Sequence, residues 1–147
     1  GVISSACIYL VPARPAWNSW TTIAEFGLTG FLLGPLLALS VLGKDEPVGF
    51  LLAAGSILGV GVVKALRFAR SGEFELRSSA RLLFHDLRRL VLLRVALLGA
   101  GVAAWFVNPW LALALLVAEE IVGRYLFFVS VVPRNMAAPF FSKSEAA

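Results

Sequence analysis

The residues with the most chemistry to offer stand together in Ala118-Glu119-Glu120-Ile121-Val122-Gly123-Arg124, in the middle of an apolar run. Glu120 and Arg124 are four apart, so on a helix they share a face and can pair. Glu119 points about 100° away and needs its own partner, a water or a proton. An ionisable group at the centre of a bilayer costs a few kcal/mol on insertion scales. Two readings follow. The three residues can form a proton path or the polar wall of a quinone pocket, or Glu120 and Arg124 can be a buried ion pair that fixes helix packing. Glu25, one turn into an earlier apolar run, poses a similar choice. It can relay protons from the interface, or it can be a first-turn carboxylate favoured by the helix dipole.

Tyr9, Trp17 and Asn18 flank a Pro-rich turn. They can touch a partner subunit or a quinone head group, or simply anchor the chain at the membrane interface. His85 lies among Arg81, Asp86 and Arg88 and reads as a surface histidine. Pro35 falls mid-helix, where it frees a carbonyl and bends the helix. Gly55, Ser56 and Gly59 form a small-residue face that allows close helix contact.

Composition decides what kind of molecule holds these groups. In 147 residues, hydrophobic types make up 59% and charged types 15%. The mean hydropathy is +0.86. A soluble domain usually carries about 25% charge and about 45–50% apolar residues. An ordinary cytosolic globule, a disordered tail and a disulfide scaffold are excluded. Cys7 is the single cysteine, so no internal bridge forms. The single histidine excludes any metal or haem site that needs two histidines from this chain alone. There is no nucleotide-binding Gly loop, no Cys cluster and no Ser-His-Asp set. The net charge of +4 reads as membrane orientation rather than nucleic-acid binding.

A membrane-spanning helix needs about 20 apolar residues, and four runs qualify: 22–43, 48–68, 90–107 and 110–132. They are unbroken and lack strand-like alternation, so helices are expected rather than barrel strands. The expected architecture is an all-α integral membrane bundle of four complete transmembrane helices plus the end of a preceding one. Residues 1–10 read as that helix end, since Gly1 replaces a starting Met and the apolar stretch is half a bilayer long. Residues 11–21 form a Pro/Trp-rich turn, and residues 134–147 a tail. The punctuation agrees: a polar turn at Gly43-Lys44-Asp45-Glu46-Pro47, a short turn at Asn108-Pro109 and a stop at Pro133. Trp17, Trp20, Trp105 and Trp110 sit near predicted helix ends, where indoles favour the interface.

Arg67, Arg70, Arg77, Arg81, Arg88 and Arg89 crowd the basic loop 71–89 and its flanks, and Lys64 and Arg94 lie within snorkelling distance of it. With Arg14 before the first helix and Arg134 and Lys143 after the last, this charge places the basic loop and both chain ends in the cytoplasm. Within 73–89, Leu76, Leu83, Phe84 and Leu87 share one helical face that can lie on the bilayer surface.

Three stretches taken in order carry a resemblance. They are Ile8-Tyr9-Leu10-Val11-Pro12 through Pro15-Ala16-Trp17-Asn18-Ser19-Trp20-Thr21, then Gly34-Pro35-Leu36-Leu37, then Glu120-Ile121-Val122-Gly123-Arg124 with Tyr125 and Phe127. Together they resemble the membrane anchor subunits of dimethyl sulfoxide reductase, the DmsC-type branch near the polysulfide-reductase (NrfD-like) anchors. Such anchors have about eight helices, so the chain looks like the C-terminal half. The resemblance implies a three-part complex at the bacterial inner membrane. A molybdopterin subunit acts on substrate, a four-cluster iron–sulfur subunit carries electrons, and the anchor exchanges electrons with quinone, without haem. It also implies that the quinone pocket lies mainly in the preceding helices.

The expected function is therefore a non-catalytic, multi-pass anchor that tethers the catalytic subunits. Glu119, Glu120, Arg124 and Glu25 are its candidates for quinone or proton work, and Tyr9, Trp17 and Asn18 for contact near the partner. No metal site is expected in this chain. Two alternatives stay open. One is the anchor of a sulfite-oxidising enzyme with reversed electron flow, suggested by the PARPAW form of the turn. The other is half of a small membrane transporter, which the mid-membrane charges also fit.

Overall fold

Long apolar stretches become helices here, and proline, asparagine or a polar cluster separates them. The structure, a computed structural model, describes residues 1–42 and 47–133. Every regular element among the described residues is helical. They are α1 (Val2–Cys7), α2 (Trp20–Leu42), α3 (Pro47–Arg70), α4 (Phe74–Arg81), α5 (Arg88–Trp105) and α6 (Pro109–Val129), with a π-helical turn (Leu82–Asp86) between α4 and α5. The polar turn at 43–46 and the tail 134–147, with Arg134 and Lys143, lie outside the described residues.

The start of α6 shows how local sequence sets an element. Asn108 is extended, and its Oδ1 accepts from the backbone N–H of Trp110 at 2.9 Å and of Leu111 at 3.3 Å. Pro109, which has no N–H to satisfy, takes the first helical position. α2 continues through Pro35, which leaves the carbonyl four residues earlier, Phe31, without its helical donor.

α5 packs along α6 and α2 along α3, α2 also meets α6, and α3 touches α5 only sparsely. Leu32 and Leu36 of α2, Phe50 and Ala53 of α3, Leu98 and Trp105 of α5, and Leu116 of α6 form the main core. At Gly101 the two long C-terminal helices come closest: a Cβ there would stand 2.6 Å from Leu116 Cγ. A smaller core joins Ala16, Phe68, Leu76 and Ala80.

The exterior is apolar and part of the interior is charged. On α6, Glu119 is fully buried while Ile121 is 65% exposed. Phe31 on α2, Leu52 on α3 and Leu92 on α5 are exposed as well. In water such a surface would forfeit about 1.5–3 kcal/mol for each large apolar side chain left out. α2 (Trp20–Leu42) and Phe50–Arg70 of α3 are long and apolar enough to cross a membrane. α5 and α6 have 18 and 21 residues but carry three ionisable side chains each, Arg88, Arg89 and Arg94 on one and Glu119, Glu120 and Arg124 on the other. Two spans, rather than the expected four, therefore stand on length and composition.

Four expectations are corrected. Trp105 is buried against Phe50, ring centroids 5.4 Å apart, and is no interface anchor. The small face of α3 meets nothing: no described atom lies within 4 Å of a Cβ at Gly55 or Gly59. Leu76 and Leu83 turn inward onto Ala16 and Phe68 rather than toward a bilayer surface. The π-helical turn breaks the α-helical register after Arg81 and leaves Phe84 outside. Lys64 and Arg94 do not snorkel toward the basic loop; they turn into the bundle.

Candidate functional site

Six ionisable side chains from four helices converge. Glu25 on α2 takes Lys64 of α3 on both oxygens, with Nζ 2.8 Å from Oε2 and 3.0 Å from Oε1. Glu119 on α6 takes Arg94 of α5, whose Nε lies 2.6 Å from Oε1. Glu120 and Arg124 face each other one turn apart on α6, with Arg124 Nε 3.8 Å from Glu120 Oε2. Three carboxylates meet three cations, so the cluster is formally neutral. A charge buried in an apolar bundle without a partner is strongly destabilising, so the helices that carry these groups have to pack with their charges paired.

Thr29, one turn beyond Glu25 on α2, ties the third pair to the first helix. Arg124 Nη2 donates to its hydroxyl oxygen at 2.9 Å. The same hydroxyl lies 2.9 Å from Glu120 Oε2 and 2.9 Å from the Glu25 carbonyl. It has one proton, so the two acceptors compete for it. Arg124 is closer to Thr29 than to Glu120, and its guanidinium also sits 3.7 Å above the Phe26 ring.

Gly123 explains how Arg94 reaches Glu119. A Cβ at position 123 would stand 2.8 Å from Arg94 Cζ and Nε. The guanidinium lies flat across the α6 backbone, and only glycine leaves it that path. Beside this crossing, between α3 and α5, is a cleft of about 250 Å³. Glu25, Lys64, Arg94 and Glu119 contribute its polar lining, and Leu58, Val62 and Val95 are among its apolar residues. Glu119 Oε2 is buried without a hydrogen-bond partner.

The residues expected near a partner divide. Tyr9 packs edge-on to Trp17 and Phe127, with centroids 5.5 Å apart in each case. Trp17 stacks on Phe127 at 5.3 Å, and its indole N–H donates to the Phe127 carbonyl at 3.0 Å. Both thus dock the Pro-rich turn onto the end of α6. Asn18 stands apart, in a polar cleft with Pro12, Arg67 and Glu73. Glu25, Glu119, Glu120 and Arg124 do come together. Sequence reasoning missed Lys64, Arg94, Thr29 and Gly123 as their partners. One signal was available: the apolar runs held three acids against a single assigned base, so two more cations had to turn inward.

The anaerobic dimethyl sulfoxide reductase chain YnfH of Escherichia coli (strain K12) is 32% identical over 142 residues, which cover 83% of this chain and 49% of that protein. The match supports the resemblance to DmsC-type dimethyl sulfoxide reductase anchors. It spans about half the length of that curated relative. No protein-family model matches it, and no solved structure does. The roles of the six charged residues rest on their geometry.

Proposed function

We propose that this chain is part of the membrane anchor of a dimethyl sulfoxide reductase-like complex. The anchor holds a four-cluster iron–sulfur subunit and a molybdopterin catalytic subunit at the bacterial inner membrane and exchanges electrons with quinol. The observation that carries this reading is the likeness to YnfH in a chain whose α6 buries Glu119 and Glu120 and exposes Ile121. α2, α3, α5 and α6 then all cross the bilayer, the last two because their charges are matched inside the bundle. The basic connection through α4 lies in the cytoplasm.

The anchor performs no chemistry on the terminal substrate. A quinol is oxidised beside the iron–sulfur subunit and gives up two electrons to it and two protons to protein groups or water. Glu119, Glu120 and Glu25 are carboxylates held in an otherwise apolar bundle, where they can pass protons along. Molybdopterin and the iron–sulfur clusters belong to the partner subunits, and no haem is needed.

Affinity isolation of the native complex from its own membranes in mild detergent tests this. The expected result is molybdenum and iron in fixed ratio to the anchor, with quinol oxidation coupled to reduction of an S- or N-oxide. Isolation of the anchor with neither metal would refute the proposal.

A further inference from the structure

A second cleft lies apart from the charged cluster, where the Pro-rich turn meets the end of α3 and the start of α4. Pro15, Asn18, Arg67, Ser71, Glu73 and Leu76 are among its lining residues. Its volume is about 370 Å³, within the roughly 300–1,000 Å³ of sites that take small ligands. Its walls are held in place. Leu76 is packed in the small core with Ala16 and Phe68. Arg77 Nη2 donates to the Gly72 carbonyl at 3.0 Å, and the Glu73 N–H donates to Ser71 Oγ at 3.1 Å.

The polar groups specify a ligand. Arg67 Nη1 is buried, and no described group accepts a hydrogen bond from it. A guanidinium nitrogen in that state carries a penalty until an acceptor arrives, and no acceptor in the chain holds it back from turning toward one. The planar fork of arginine matches two oxygens of a phosphate. Ser71 and Asn18 line the same cleft with a hydroxyl and an amide that can donate as well. Glu73 also stands there, so a ligand of net negative charge meets repulsion. Its carboxylate has several lone pairs and suits an ammonium without giving up the partners it already has. The complement of this set is a phosphodiester with a primary ammonium beside it.

Depth narrows the source. Arg67 lies one turn before the end of the apolar stretch Phe50–Arg70. Trp20, two residues beyond Asn18, is 60% exposed at the start of α2, and indoles favour the head-group level of a bilayer. With α2 and α3 across the membrane, the cleft stands among lipid head groups, whose phosphate oxygens are the acceptors at hand.

We propose that this cleft binds the head group of a membrane phospholipid, a phosphoethanolamine by chemical class, with the Arg67 guanidinium donating to the phosphate and Glu73 accepting from the ammonium. Asn18 then has a place beside the phosphate. The proposal goes beyond the anchor reading and requires only that α2 and α3 span the bilayer.

The test uses the full chain purified in dodecyl maltoside, with lipid retention read by native mass spectrometry. The probes are dioleoyl phosphatidylethanolamine, the phosphatidylcholine with the same chains, whose cation has no N–H, and the phosphatidylglycerol, which has no cation. The first is expected to be retained roughly tenfold more tightly than either of the others. Soluble glycerophosphoethanolamine should displace it, and inorganic phosphate at the same concentration should not. Arg67→Gln is expected to weaken retention by roughly tenfold or more. Glu73→Gln should erase the preference over phosphatidylcholine. Arg89→Gln, an exposed arginine of α5 outside the cleft, should change nothing. If a variant fails to fold, the three lipids on the unaltered chain decide the matter alone. Equal retention of the three lipids or tightest retention of phosphatidylglycerol would overturn the proposal. So would displacement by inorganic phosphate, which marks a free-anion site, wild-type retention by Arg67→Gln, or an equal loss in Arg89→Gln. Protection of Arg67 from p-hydroxyphenylglyoxal by a partner subunit in a delipidated complex would assign the cleft to a protein contact and overturn it as well.

Discussion

Replacing Gly123 by alanine tests whether the α5–α6 crossing depends on a bare backbone. The new Cβ would stand 2.8 Å from Arg94 Cζ and Nε and 2.9 Å from Nη2. Ordinary heavy-atom contacts lie at about 3.5–4.0 Å, so the guanidinium must retreat by about 0.7–1 Å. Arginine is flexible and the overlap itself is easily relieved. The cost comes from what Arg94 leaves, namely Glu119 Oε1 at 2.6 Å with a carboxylate already one partner short. A hydrogen bond to a charged group contributes about 1.5–3 kcal/mol in soluble proteins. Coupling energies measured between residues inside membranes reach only about 1.7 kcal/mol. Gly123→Ala should therefore lose about 1–2 kcal/mol, read as a shift in the SDS-driven unfolding of the purified protein in mixed micelles. Gly55→Ala, where nothing lies within 4 Å, is the control and should unfold like the wild type. The penalty of Gly123→Ala should also vanish in an Arg94→Met background, since residues acting through one contact are not additive. If Gly123→Ala matches the wild type, or costs the same with Arg94 absent, the crossing is not what holds the charged cluster.

Three other substitutions follow from the same geometry. Gly101→Ala presses on Leu116 Cγ at 2.6 Å in a filled core, and overpacking should cost about 1–3 kcal/mol in the same unfolding assay. Asn108→Ala removes the cap of α6 and should cost about 1 kcal/mol, with Asn108→Asp close to wild type. Thr29→Val keeps the shape but removes the hydroxyl that accepts from Arg124 and lies against Glu120. It should destabilise by about 0.5–2 kcal/mol, while Thr29→Ser, which keeps the hydroxyl, restores most of the loss.

Apolar run length was enough to locate the helical stretches: α2, α3, α5 and α6 lie over the four runs read from the sequence. Spacing on one helix was also legible. Glu120 and Arg124 share a face because they are four apart, and Glu119 does not. Relations between helices were not. A lone cation near the end of an apolar run, such as Lys64 or Arg94, reads equally well as a snorkelling side chain, and only the neighbouring carboxylate decides. Thr29 carries no signal of its own, since a threonine in a membrane-type helix usually satisfies itself on its own backbone. The glycines misled for the same reason. Gly55 and Gly59 have the spacing of a helix contact but meet nothing among the described residues, whereas the close approaches occur at Gly101 and Gly123. The inward turn of Trp105 depends on Phe50, 55 residues away in the chain.

The central claim is that the charged side chains point into the bundle while the apolar ones face lipid. Nitroxide labels on single cysteines at Phe31, Leu52 and Ile121, in a Cys7→Ser background reconstituted in bilayers, test it by accessibility. All three positions should collide readily with oxygen and scarcely with a water-soluble nickel chelate, while a label at the exposed His85 should show the reverse. Nickel collision at Ile121 equal to that at position 85 would contradict the account.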